Sequence, residues 1–314
     1  MKVVRLHGVG DIRIADEDQP TPGPGESLVR VTAVGLCGSD LHWFTEGGIG
    51  DSQLLHPLVL GHEFAGVVEG GLDDGRRVAV DPARPCGTCE LCLEGNRNLC
   101  LSVRFAGHGG DDGALRDYLA WPTALLHTVP DDLSDADSAM LEPLGVALHA
   151  HDLGKTRAGG DVAVIGCGPI GLCLVQVARA AGARHVVAIE PLGHRREAAA
   201  AMGADVVLDS GADDVRAALA EATGGRGVDV AFEAAGNDAA VALAARRRLH
   251  NDSYVRTPGS WRAYIEMFAL SFVSGWEPRF RTAAMWARFT VRRPICGTAS
   301  GACGHRSPPP PVVP

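Results

Sequence analysis

Cys86, Cys89, Cys92 and Cys100 follow the pattern Cys-x-x-Cys-x-x-Cys-x7-Cys. Such spacing lets one loop wrap a tetrahedral ion, with Zn–S bonds of about 2.3 Å. Four thiolates leave no coordination position open, so the role would be structural. A redox pair is the other reading of two cysteines so spaced. A second group is more dispersed. Gly35-Leu36-Cys37-Gly38-Ser39-Asp40-Leu41-His42 carries a thiol, a hydroxyl, a carboxylate and an imidazole within six residues. Gly61-His62-Glu63 and Leu141-Glu142-Pro143 follow downstream. Catalytic zinc takes three such donors and leaves a position for water or substrate. Cys37, His62 and Glu63 supply one thiolate, one imidazole and one carboxylate. Glu142 is a fourth candidate, as a ligand or as a hydrogen-bond partner of bound water. Alone, Cys37 would read as a small buried hydrophobe, and Glu142 as a surface carboxylate ahead of a helix. Asp40 suits either a helix cap or the carboxylate that orients a ligating imidazole.

A third group binds rather than reacts. The apolar run Asp161–Ile165 enters Gly166-Cys167-Gly168-Pro169-Ile170-Gly171, and an apolar helix follows. A second strand, His185–Ile189, ends on Glu190, nineteen residues beyond Gly171. Strand, glycine turn, helix and distal acid together form a dinucleotide fingerprint. Gly166 makes the tight turn, Gly168 lets the backbone approach a pyrophosphate, and the helix N-terminus attracts its charge. Pro169 and Ile170 complete the candidate clamp with Gly171. Glu190 would accept hydrogen bonds from ribose hydroxyls and repel a 2′-phosphate, which favours NAD. His194, Arg195 and Arg196 argue the other way, because arginine accommodates that phosphate.

Two kinds of scaffold must position these groups. Lys2–Leu6, Asp11–Ile14 and Leu28–Val34 read as short strands, broken by Pro and Gly at 20–25, and imply a small antiparallel domain. A helix is expected to start near Ser39 or Asp40, and Glu63 opens an alternating strand. From about 160 the pattern changes to strand–helix repeats: 205–208 a strand, 212–223 an Ala-rich helix, 228–232 a strand. Such alternation implies a parallel sheet.

At these residues the chain resembles the zinc-dependent medium-chain alcohol dehydrogenases, of the sorbitol or L-iditol (polyol) dehydrogenase type, with L-idonate 5-dehydrogenase close. The likeness covers about residues 1–245, and the Glu of Glu142-Pro143-Leu144 matches the sorbitol branch. It implies an α/β fold: a GroES-like β-rich catalytic domain at 1–155 with a zinc lobe at 86–100, then a Rossmann parallel-sheet domain at 156–245. It implies two zinc ions per chain, one catalytic and one structural, and NAD as hydride acceptor. Ser39 would take the substrate proton and His42 would relay it to solvent, with Glu142 beside the metal. Arg195 would pack on the adenine, and Trp43 and Phe105 would line the substrate pocket. The expected reaction oxidises a secondary alcohol of a polyol or sugar acid to a ketone. L-idonate- or threonine-type substrates are alternatives, as is a zinc-stabilised remnant without turnover. A homo-oligomer, dimer or tetramer, is expected.

The whole chain sets outer bounds. At 314 residues it suggests two domains. A net charge of −9 argues against a nucleic-acid partner. No apolar run is long enough for a membrane span, and Met1–His7 lacks the core of a secretory signal. Nine cysteines, four of them within fifteen positions, suit metal binding in a reducing compartment, the cytoplasm. Beyond Ala245 the pattern changes. Arg246-Arg247-Arg248 opens a Trp-rich stretch, and Pro308–Pro311 leads an extended end expected to be disordered. Phe280-Arg281 with Trp286 echoes a substrate-binding Phe-Arg pair of polyol dehydrogenases. Residues 246–314 are therefore read as an atypical tail, out of register with the ancestral coding sequence, and the nucleotide domain as incomplete.

Overall fold

The computed structural model describes residues 1–244 and the backbone of residues 250–256. Its N-terminal half is built on a five-stranded antiparallel sheet. The strand order is Tyr118–Pro122, Glu26–Gly35, Glu63–Glu69, Arg77–Val80, Leu126–Thr128. Alternation decides which side chains face inward: Leu119 and Trp121 are buried, and the residues between them are partly open. Their burial against Val29, Phe64 and Val78 contributes about 2–3 kcal/mol per large side chain. Lys2–Gly8 pairs with Asp11–Asp16 and Leu58–Val59 in a smaller sheet.

The second half is a parallel sheet ordered Val206–Leu208, His185–Ile189, Asp161–Ile165, Val228–Glu233, His250–Arg256. Asp161–Ile165 is buried along its whole length, as a central strand with both faces covered should be. Strand order reverses between Asp161–Ile165 and Val228–Glu233, and such a switch point is where open α/β sheets bind ligands. The strand His250–Arg256 runs parallel to Val228–Glu233. It corrects the expectation that the sheet stops at 245. Asn251, Asp252 and Ser253 disfavour strands, so pairing to an available sheet edge outweighs local propensity.

The helix Leu141–Leu153 joins the two halves. Val146, Ala147 and Ala150 pack with Val162, Val164, Leu174 and Phe232 of the parallel sheet and its helix. Glu142 stands in the first turn of this helix. The metal-donor candidates and the nucleotide turn are thus tied to one rigid element. Phe280, Arg281, Trp286 and the proline-rich end lie outside the described residues. Among the described residues no helix is long and apolar enough to cross a membrane.

Candidate metal and dinucleotide sites

Strand register brings Cys37 to His62 and Glu63. Gly35 pairs with Glu63 across the antiparallel ladder, so the chain leaving Gly35 starts beside the Glu63 side chain. A Cβ on Gly35 would collide with the Glu63 carboxylate. Two residues on, Cys37 is the N-cap of the helix Gly38–Glu46. The helix therefore starts earlier than Ser39 or Asp40, and Asp40 lies inside its first turn. From there its Oδ2 accepts the Cys37 amide at 2.9 Å and its Oδ1 accepts the Gly61 amide at 3.1 Å. One buried carboxylate thus fastens both loops. Asp40 Oδ1 lies 3.9 Å from His62 Nδ1, beyond hydrogen-bond length, so Asp40 acts on the loops more than on the imidazole.

The Cys37 thiol, a His62 ring nitrogen and a Glu63 oxygen all lie within 4.8 Å of one another. His62 and Glu63 are buried. Burial raises the Glu63 carboxyl above its usual range, with nearby His62 opposing. Glu142 is 3% exposed, and neither of its oxygens has a hydrogen-bond partner among the described residues. Burial raises it well above the ordinary carboxylate range, against the pull of His62 and with Glu63 and Cys37 adding to the rise. Buried carboxylates without partners are costly, and a cation beside them removes the cost. The donor set and the orphaned Glu142 oxygens fit zinc.

Cys86, Cys89, Cys92 and Cys100 converge in the same way, with their sulfurs within 4.8 Å of one another. All four are free thiols. Cys86 and Cys92 sulfurs stand 3.9 Å apart, and those of Cys89 and Cys100 4.0 Å. A tetrahedron of 2.3 Å Zn–S bonds has edges of about 3.8 Å. The amides of Thr88 and Cys89 point at the Cys86 sulfur and lower its pKa to about 6. That geometry matches a closed metal site and is too long for a disulfide.

The glycine turn forms as its sequence demands. Gly166 has φ +90°, and a Cβ there would stand 2.6 Å from the Ala235 amide. A Cβ on Gly171 would collide with the Gly166 carbonyl oxygen. Gly168 differs: its Cβ would meet no protein atom. Gly168 caps the helix Pro169–Ala180, with Pro169 in its first turn. A cavity of ≈ 920 Å³ opens here, bounded by Gly166, Gly168, Glu190, Arg195 and Asn237. Pro169 is exposed and Ile170 packs on the core beneath. Glu190 is buried, its oxygens accepting the amides of Cys167 at 2.8 Å and Leu192 at 3.0 Å. Arg195 Nη1 lies 3.9 Å from Glu190. Arg196 is committed elsewhere, bonded to the Glu190 and Pro191 carbonyls and paired with Asp209.

The remaining candidates separate. Ser39 Oγ is buried without a partner among the described residues. His42, three residues on, is exposed, with Nδ1 2.8 Å from Glu46 Oε1. Trp43 and Phe105 are 1% exposed; Phe105 packs on the His62 ring, with centroids 5.3 Å apart. The sequence reading missed Cys173. It sits on the helix after the glycine turn, and burial, with Glu63 and Glu142 nearby, pushes its thiol up to about 12. Cys173 and Leu174 pack in one core with Phe105, Val146 and Ala147, so the helix after the glycine turn and the helix carrying Glu142 are tied together.

Residues 23–131 match the alcohol dehydrogenase GroES-like domain, and residues 169–247 match the zinc-binding dehydrogenase domain. A zinc-binding dehydrogenase from Sinorhizobium meliloti, solved bound to NADP, superposes with a TM-score of 0.74 at 35% identity, covering 82% of this chain and 76% of that one. The chain belongs to the zinc-binding dehydrogenase family. The two clusters of thiol, imidazole and carboxylate donors are of the kind a zinc-binding family uses. The chain also resembles L-idonate 5-dehydrogenase from Escherichia coli (TM-score 0.71, 30% identity, 81% of this chain and 75% of that one). Sorbitol dehydrogenase from Bacillus subtilis is 41% identical over 217 residues, 67% of this chain. The chain spans 61% of that relative's length.

Proposed function

We propose that this dehydrogenase oxidises a secondary alcohol of a polyol or sugar acid to a ketone, with NAD as acceptor. The observation that carries the reading is that the helix Leu141–Leu153, which carries Glu142, shares one packed core with Cys173 and Leu174 of the helix after the glycine turn. A metal and a dinucleotide held there would share one cleft. Substrate class is supported by the likeness to sorbitol dehydrogenase and L-idonate 5-dehydrogenase.

In this reading Cys37, His62 and Glu63 hold one zinc, and Cys86, Cys89, Cys92 and Cys100 hold a second, structural one. When bound, the first zinc supplies positive charge that eases alcohol deprotonation, and NAD supplies the hydride acceptor. Glu142 stands by as an alternative carboxylate. Asp40 keeps the two donor loops in register. Ser39 receives the substrate proton, and His42, on the same helix face three residues later, passes it to solvent. Gly168 leaves room for the pyrophosphate. Glu190 would hold the ribose hydroxyls and Arg195 would flank the adenine, and a buried acid at that place favours NAD over NADP. The free thiols suit a reducing compartment such as the cytoplasm. A dimer or tetramer belongs to the proposal on family likeness, and light scattering decides it.

The test incubates the zinc-loaded chain with NAD or NADP and a panel of sorbitol, L-iditol, L-idonate, threonine and simple alcohols. NADH formation with polyols or sugar acids, lost in Cys37→Ser, supports the reading. Full zinc content with no reduced cofactor on any substrate would leave a zinc-stabilised remnant instead.

A further inference from the structure

The helix Gly38–Glu46 ends on an acid. Its last turn holds no basic residue, and the dipole of a helix disfavours negative charge at that end. Capping does not require the Glu46 side chain. Gly47 closes the helix in the left-handed conformation (φ 72°), its amide donating to the Trp43 carbonyl at 3.1 Å. What the Glu46 carboxylate does meet is His42, one turn earlier, with Oε1 2.8 Å from Nδ1. An ionised carboxylate can only accept a hydrogen bond. An ionised Glu46 can keep this contact only with the His42 proton on Nδ1, which leaves Nε2 its lone pair.

We propose that Glu46 is a positioning residue that selects the His42 tautomer able to accept a proton at Nε2. The inference rests on the reading above, in which His42 passes the substrate proton onward. The proton arriving from the Ser39 side bonds to Nε2 and makes an imidazolium. Its Nδ1–H contact to Glu46 then joins two opposite charges. Release of the Nε2 proton to bulk water restores the neutral ring in the same tautomer. Without Glu46 the ring can hold its proton on Nε2, and that form has no lone pair there. Both side chains are more than half exposed, so water competes and the bias is modest. A pair of this kind shifts a population by about two- to threefold.

The experiment labels histidine with ¹⁵N and records ring ¹⁵N–¹H correlation spectra of the zinc-loaded chain. His42 is assigned by the signal lost in His42→Gln. The expected wild-type pattern is the Nδ1–H tautomer, giving way to a larger Nε2–H population in Glu46→Gln and Glu46→Lys. With the best polyol, kcat should fall about two- to threefold at unchanged KM. Glu46→Lys separates positioning from helix stability, because a cation suits this helix end: its melting temperature should hold or rise while turnover falls. An unchanged His42 tautomer in both variants overturns the proposal. Absence of activity on every substrate removes the proposed function, yet the tautomer still decides the role of Glu46.

Discussion

Asp40 and Gly61 are joined by a buried hydrogen bond, the Gly61 amide donating to Asp40 Oδ1 at 3.1 Å. The other Asp40 oxygen holds the Cys37 amide. One side chain therefore sets the separation between a thiol and an imidazole twenty-five residues apart in sequence. Hydrogen bonds to a charged, buried partner contribute about 1.5–3 kcal/mol each. Asp40→Ala, which removes both, should cost about 3–6 kcal/mol of stability and release zinc from Cys37, His62 and Glu63. Chemical denaturation and metal analysis check both. Retention of stability and of zinc would show that the loops hold themselves.

Gly35 admits no side chain, because its Cβ would enter the space of the Glu63 carboxylate. Gly35→Ala should displace Glu63 and lower the zinc content. The four-cysteine site, on a separate loop, should keep its ion. Elemental analysis should show a loss of about half the zinc, with overpacking costing about 1–3 kcal/mol.

Two glycines of the nucleotide turn should behave oppositely. Gly171→Ala drives a methyl into the Gly166 carbonyl and should destabilise by about 1–3 kcal/mol. Gly168→Ala meets no protein atom, so its melting temperature should be unchanged while NADH affinity drops. Melting curves and NADH fluorescence titrations report the two effects separately. Normal NADH binding by Gly168→Ala would move the pyrophosphate away from this turn.

Asp81 predicts a pH dependence. It is 6% exposed and accepts the Ala83 amide at 2.9 Å. Burial pushes its carboxyl up from 3.8 to about 7, with that hydrogen bond opposing. Between those values the unfolded chain has lost a proton that the folded one keeps. The folded state binds more protons, so this group's contribution to stability is present below 3.8 and is lost as pH rises toward 7. The slope is at most about 1.4 kcal/mol per pH unit. Urea unfolding at several pH values should show this decline in the wild type and a flatter profile in Asp81→Asn. Identical profiles would place Asp81 in an ordinary aqueous environment.

The donors were legible in the sequence because their chemistry is local. Cys86 to Cys100 needs one loop, and the glycine turn needs only its flanking strand and helix. What could not be read was register. Nothing local pairs Gly35 with Glu63, and nothing local packs Cys173 into one core with Phe105 and Val146, since both relations arise from tertiary packing. Asp40 was legible as a carboxylate near a ligand, but its grip on two backbone amides was not. The strand His250–Arg256 escaped because Asn251-Asp252-Ser253 breaks the alternation that marks strands.

The central claim is that Cys37, His62 and Glu63 hold a metal of their own. Zinc per chain, measured by mass spectrometry on purified wild type, Cys37→Ser and Cys92→Ser, tests it most directly. Two ions in the wild type and one in each variant is the predicted result, with the ion left in Cys37→Ser held by the four cysteines. A Cys37→Ser protein that retains both ions would contradict the account.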